Sequence, residues 1–178
     1  MLSGLKTLRS KFIRHQNGSV AVEFAMIALP FFLFIFALIE TALIIFSSIG
    51  LDMALGEASR QIRTGQVQAA GLTREQFHQL VCDGAPGYFD CSDKLKVDVR
   101  RFDNFSSTDF VSPTDVNGSL ILDFSFDPGG PSDIILARAF YVWNISSPIG
   151  VGLANMEGNN RLLASSAAFR NEPYNEDD

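Results

Sequence analysis

The chain is poor in the residues from which active sites and metal centres are built. Its 178 residues include two histidines, His15 and His78, and two cysteines, Cys82 and Cys91. Neither histidine nor cysteine stands at a common zinc-ligand spacing, which excludes the usual zinc modules. No glycine-rich phosphate loop and no nucleophile elbow is present. No internal repeat is visible, which removes solenoids and propellers. Positive charge is also scarce. The chain carries 14 Lys and Arg against 20 Asp and Glu, a net charge of −6. An acidic chain of this kind lacks the basic footprint that nucleic-acid binding needs. These shortages lead us to expect neither an enzyme nor a cofactor site.

What charge there is has been sorted along the chain. Residues 1–17 hold Lys6, Arg9, Lys11 and Arg14 and no acid. A basic N-terminus ahead of an apolar segment stays in the cytoplasm, so the C-terminal body is exported. Both cysteines lie in that exported part. An even count in an oxidising compartment reads as one disulfide, worth roughly 2–3 kcal/mol for so short a loop. A metal or redox pair is the alternative reading.

Aromatic and aliphatic residues are concentrated in one stretch. The sixteen residues between Glu23 and Glu40 are all apolar, Pro30 included. They span roughly 24 Å of helix, and continuing to Phe46 gives about 34 Å, against ~30 Å for the hydrocarbon core. Such a run is too long for a secretory signal core of roughly 7–15 residues. It predicts a membrane-spanning helix with Glu23 near the interface and Glu40 inside or at the periplasmic edge. Pro30 removes one backbone hydrogen bond. It is either a kink that serves packing or a proline tolerated as in many membrane helices.

Past Phe46 the pattern turns amphipathic. Leu51, Leu55, Ala58 and Ile62 form an apolar stripe at helical spacing. One helix from about Val20 to about Gln68 is expected, and Gly50 and Gly56 weigh against its strict continuity. Thr73, Arg74, Glu75 and Gln76 fit a capping box opening a short helix to about Val81. Leu95, Val97 and Val99 alternate with Lys96, Asp98 and Arg100 as in a strand with one wet face. Leu120, Leu122, Phe124 and Phe126 alternate again and pair with the run 133–144 in the expected antiparallel hairpin. Residues 161–169 add a further strand, and 171–178 read as a disordered acidic tail. The expected fold class is α+β, with a long N-terminal helix packed on a small antiparallel sheet. The expected division is a leader at 1–18, a transmembrane helix at 19–49, a periplasmic domain at 50–170 and the tail at 171–178.

The segment GSVAVEFAMIALPFFLFIFALIETALIIF resembles the N-terminus of TadE-like minor pilins of tight-adherence (Tad) pili. The continuation ALGEASRQIRTG resembles the same family. The cysteine pair, KLKVDVRRF, the YVW run and RLLASSAAFRNEP resemble its alphaproteobacterial members. The resemblance implies a pilin-like fold and a class III prepilin signal. A prepilin peptidase would cut between Gly18 and Ser19. Glu23 would become the fifth mature residue and pair with another subunit's N-terminal ammonium. Phe24 stands where the main fibre subunits have tyrosine, which agrees with a minor pilin or pseudopilin. The implied partners are the peptidase, other minor and major pilins, the inner-membrane assembly platform and membrane lipid. The implied localisation is the inner membrane, single-pass, with passage into the extracellular pilus. Glu40 is expected to contact a partner subunit, or else to mark only the membrane boundary. The competing reading of the whole chain is a periplasmic binding or enzymatic domain with the helix as a simple tether.

The remaining polar signals are weaker. His78 reads as a surface or packing residue. Asp90, Asp93, Asp98, Asp103, Asp109 and Asp115 read as a solvated acidic face rather than a calcium site. Asn104, Asn117 and Asn144 open N-x-S/T sequons that the bacterial resemblance makes accidental.

Overall fold

The structure, a computed structural model, describes residues 18–107, 113–115, 118–121, 123–146 and 152–174. The leader before Gly18, Asp109, Asn117, Leu122 and residues 175–178 lie outside them. Helix α1 runs Ser19–Arg63 and is followed by the short α2, Gln66–Ala69, and by α3, Arg74–Gly84. The strands are β1, Leu95–Phe102, β2, Ile134–Asn144, and β3, Asn160–Arg170. The α+β expectation is met by this long helix and a three-stranded antiparallel sheet in the order β1-β2-β3.

The chain divides into two compact units, Met1–Ile39 and Glu40–Asp178. In the first, the described residues are Gly18 and the opening of α1. Apolar side chains there are open to the surroundings on every side, Val20, Phe24, Ile27 and Phe34 among them. This stretch is long and apolar enough to cross a membrane. Pro30 lies inside the helix without ending it.

The second unit begins at Glu40, ahead of the 49/50 boundary read from the sequence. Its core is the stripe of α1 laid against one face of the sheet. Leu51, Leu55, Ala58 and Ile62 are all buried, as their spacing predicts. They meet Leu95, Val97 and Val99 of β1, Ala137, Ala139 and Tyr141 of β2, and Leu163 of β3. The register explains the sharing of one face, since Leu95 lies opposite Tyr141 and Tyr141 opposite Leu163. Helix α3 adds Phe77 and Val81 to the same core. It opens at Thr73 with a complete capping box, as the sequence predicts. Thr73 Oγ1 accepts from Gln76 N–H, and Gln76 Oε1 accepts from Thr73 N–H.

Gly50 and Gly56 both sit within α1, so neither breaks it. Gly50 has a packing reason. A Cβ there would stand 2.4 Å from Pro86 Cγ, so only glycine admits the loop after α3. Gly65, at φ 81°, ends the helix in the left-handed region that favours glycine.

Three expectations are corrected. The run around Phe124 and Phe126 does not form a hairpin with β2, whose two edges are taken by β1 and β3. It runs beside the outer edge of β1 instead, where Val99 N–H donates to Ser125 O and Asp127 N–H to Val99 O. Alternation set the extended conformation, but a fully paired central strand left β1 as the open edge. Asp98 is not on a wet face. It is fully buried, because residues 123–127 cover that side. Residues 171–174 are also not loose but bonded to the body. Asn171 Nδ2 donates to Pro128 O and Gly130 O. Glu172 N–H donates to Arg63 O, and the Tyr174 ring lies over Gly65.

Candidate functional site

The N-terminal candidates occupy the first turns of α1. Gly18 precedes the helix in a tighter turn, and Ser19 is its first residue. Ser19 Oγ donates to Glu23 Oε1 at 3.0 Å, one turn further on. Glu23 and Phe24 are exposed. The Gly18–Ser19 bond thus stands at the mouth of the helix, with an outward carboxylate one turn below it. That arrangement leaves Glu23 available to a group from outside the chain.

Glu40 is different. It heads the buried stripe of α1, with Ile44, Ser47, Leu51, Leu55, Ala58 and Ile62 behind it at steps of three and four. It is 8% exposed. A buried carboxylate needs a donor, because desolvation is costly. The donor is Trp143 at the end of β2, whose Nε1–H reaches Glu40 Oε1 at 2.9 Å. The sequence led us to look for a donor on a partner helix, and the structure supplies one from the same chain. Nothing in the local sequence signals this pairing across 103 positions.

The surroundings of that bond are aromatic. Tyr88 packs edge-on to Trp143 with ring centroids 6.3 Å apart, and its hydroxyl lies 3.1 Å from Ser47 Oγ. Phe89 stacks on Tyr141 at 3.9 Å, and the Tyr141 hydroxyl accepts from Asp90 N–H. The loop that carries Tyr88 and Phe89 is closed by the Cys82–Cys91 disulfide, Cα atoms 5.9 Å apart. Pro86 seated on Gly50 pins the same loop to α1. The two cysteines therefore hold an aromatic loop against the helix rather than a metal. Cys82→Ser is expected to lower the unfolding free energy by roughly 2–3 kcal/mol. Denaturant titration with and without reductant checks this. Equal midpoints would show that the clasp contributes nothing.

The Glu40–Trp143 bond sets a second expectation. Glu40→Leu leaves the indole N–H without an acceptor and is expected to cost about 1–3 kcal/mol. Glu40→Gln keeps an acceptor oxygen and is expected to cost less. Thermal melts of the detergent-solubilised chain compare the two. A Leu variant as stable as the Gln variant would show that the bond is idle.

Chemistry elsewhere is sparse. A groove between α3 and β1 is lined by Arg74, Glu75, His78, Gln79, Ser92 and Lys96. Ser92 Oγ donates to Asp90 Oδ1, while the His78 ring nitrogen is bonded to Leu95 O at 3.1 Å. Serine and histidine there serve different partners and do not form a relay. Among the described residues, no three His, Cys, Asp or Glu side chains gather to hold a metal ion.

A buried ionic node went unread in the sequence. Asp98 Oδ2 accepts from Arg138 Nη2 at 2.6 Å and from Arg138 Nε at 3.1 Å. Arg100 Nε and Ser125 N–H donate to the other side of the carboxylate. Arg100 also donates to Asp123 O. Burial pushes the Asp98 carboxyl upward, but the Ser125 amide, Arg138 and Arg100 outweigh it. The net position is below the usual carboxylate range. The node joins β1, β2 and the 123–127 segment, so its role is structural.

Residues 18–60 match a family model described as TadE-like protein. The matched span begins at the glycine before α1 and ends three residues short of the helix end. No curated protein and no solved structure matches the chain.

Proposed function

We propose that this TadE-like protein, so identified by its residues 18–60, is a minor pilin or pseudopilin for assembly of a Tad-type adhesive pilus. The match to a TadE-like family model supports a Tad pilus-associated protein, and the apolar N-terminal helix fits a single-pass membrane anchor. The observation that carries the finer reading is the division of labour along α1. The stretch before Glu40 presents large exposed apolar side chains, and the stretch from Ile44 to Ile62 contributes the core stripe of a folded body. A subunit of that form can wait in the inner membrane and then enter a fibre by its helix while the body stays folded.

In this reading a prepilin peptidase cuts between Gly18 and Ser19. The new ammonium of Ser19 and the exposed Glu23 carboxylate of a neighbouring subunit then neutralise each other in a low-dielectric setting. An unpaired charge there is costly, so pairing sets the axial register. Other minor and major pilins and the assembly platform are the partners. The mature chain is expected to begin SVAVEF when its N-terminus is sequenced from a host with active peptidase. A chain that keeps Met1 under those conditions would sink the pilin reading and favour a simple tether. Glu23→Ala as the sole copy is expected to insert normally and to abolish or sharply reduce surface pili, counted by electron microscopy.

A further inference from the structure

We propose that the outer edge of β3 is a docking strand for another polypeptide. The occupant is an extended segment, uncharged through its middle and acidic at its two ends. Such a site belongs to the sheet, so it is the same whether the chain is a pilin subunit or a tethered domain.

β3 ends the strand order β1-β2-β3, so no named strand lies beyond it. The ladder decides which of its residues look outward. Along a strand, successive residues bond by turns to one side and to the other. Val142 N–H of β2 donates to Lys94 O, toward β1. Asn171 N–H donates to Asp133 O, just past the other end of the β2–β3 pairing. Even-numbered residues of β2 therefore bond to β1, and odd-numbered ones to β3. Opposite the odd positions stand Arg161, Leu163, Ser165, Ala167 and Phe169. That leaves the N–H and C=O groups of Leu162, Ala164, Ser166 and Ala168 directed out of the sheet. Leu162 N–H is taken by Asn155 Oδ1 at 2.7 Å. Among the described residues, nothing bonds to the outward backbone of Ala164, Ser166 or Ala168, and all three are exposed.

An open edge is a template for a further strand. Proteins that keep it empty blunt it with lysine, proline, a bulge or a short length. β3 has none of these. It is 11 residues long. It pairs with β2 residue for residue, without a bulge. From Leu162 to Phe169 it carries no charge and no proline. The outer edge of β1, by contrast, is bonded at Val99 to Ser125 and Asp127.

Charge defines the occupant. Arg161 and Arg170 stand at the two ends of the neutral stretch. Their guanidinium groups donate to Leu153 O and Ser132 O. Among the described residues neither meets an acid. In a chain of net charge −6, two such cations on one edge are a complement for acids. A second β3 does not supply them. Two β3 strands overlapped antiparallel would set Arg161 of each one position from Arg170 of the other, at both ends. Like charges so placed across strands are destabilising. A strand with an acid opposite each arginine makes both places attractive.

The probe is a blocked synthetic peptide of alternating valine and threonine, long enough to run from Arg161 to Arg170, with aspartate at each end. A second peptide carries lysine at both ends instead. Fluorescence polarisation reads the binding of each labelled peptide to the full-length chain in detergent. The aspartate peptide is expected to bind at least about ten-fold more tightly than the lysine peptide. Arg161→Glu together with Arg170→Glu is expected to reverse that order. Ser166→Pro removes an outward N–H and no bond to β2. It is expected to weaken the aspartate peptide about ten-fold or more. The charge-reversed variant tests the edge even where proline disturbs the strand. An aspartate peptide that does not bind, or equal affinity for the two peptides, would overturn the proposal. A dimer of the parent in sedimentation that Ser166→Pro dissolves would assign the edge to a second copy, and overturns it too.

Discussion

Replacing Asp98 by asparagine is expected to destabilise the folded body by about 3–5 kcal/mol. That is a large part of the roughly 5–15 kcal/mol that holds a domain together. Asparagine preserves shape and still accepts hydrogen bonds. It leaves Arg138, only 5% exposed, without a neutralising charge. Three pieces of chain lose their shared negative charge and one of its two acceptor oxygens, because Arg138, Arg100 and Ser125 N–H all converge on this carboxylate. Urea titration of the detergent-solubilised chain, followed by Trp143 emission, measures the loss. The double change Asp98→Leu with Arg138→Met removes both charges and is expected to recover most of it, since an apolar replacement leaves no orphan. An Asp98→Asn midpoint equal to the parent's would refute the assignment.

The same node sets an acid response. The folded Asp98 lies below the ordinary aspartate value of about 3.9 because its donors outweigh its burial. A depressed carboxylate contributes stability that is present above the unfolded value and lost as pH falls through the folded one. The parent is therefore expected to weaken below about pH 4. The asparagine variant, already destabilised, is expected to show a shallower acid decline. Identical slopes in the two would place the acid sensitivity elsewhere.

The second large effect separates the two faces of α1. Leu55→Ala is expected to cost about 2–5 kcal/mol, since Leu55 is 1% exposed and its removal leaves a cavity between helix and sheet. Phe46→Ala removes a larger side chain from the same helix, yet it is expected to change stability in detergent by less than about 0.5 kcal/mol. Phe46 is 66% exposed and touches no core. Paired denaturation curves decide between a helix with one loaded face and one loaded all round. Equal losses would mean that the outward face is packed after all.

Local chemistry was the most legible part of this chain. The apolar run, the stripe from Leu51 to Ile62, the capping box at Thr73 and the strands around Val97 and Ala164 all stand where their residue patterns place them. Each of these signals is carried by residues within a few positions of one another, so a linear reading captures it. The joining of Cys82 to Cys91 was legible for the same reason, as two cysteines across a short turn. Asp98 was not. A charged residue alternating with valines looks like a solvent face until the chain returns 27 residues later to cover it. The strand partner of β2 was misread for a related reason. Nearness in sequence favoured residues 120–126, while the two long strands left no free edge for them.

Sequence alone determined that a single apolar helix leads an acidic α+β body, because hydrophobic periodicity and charge sorting act locally and are written residue by residue. The resemblance of its N-terminus also offered the Gly18–Ser19 bond as a candidate cleavage point, while the exposure of Glu23 comes from the structure. Only the tertiary structure decided where Glu40 points. A carboxylate in an apolar run carries no label for its partner, and its donor stands 103 positions away at the end of β2. The fold brings Trp143 to it by packing the stripe that Glu40 heads against the sheet. That pairing gives a residue expected to meet a partner subunit an internal contact of the body.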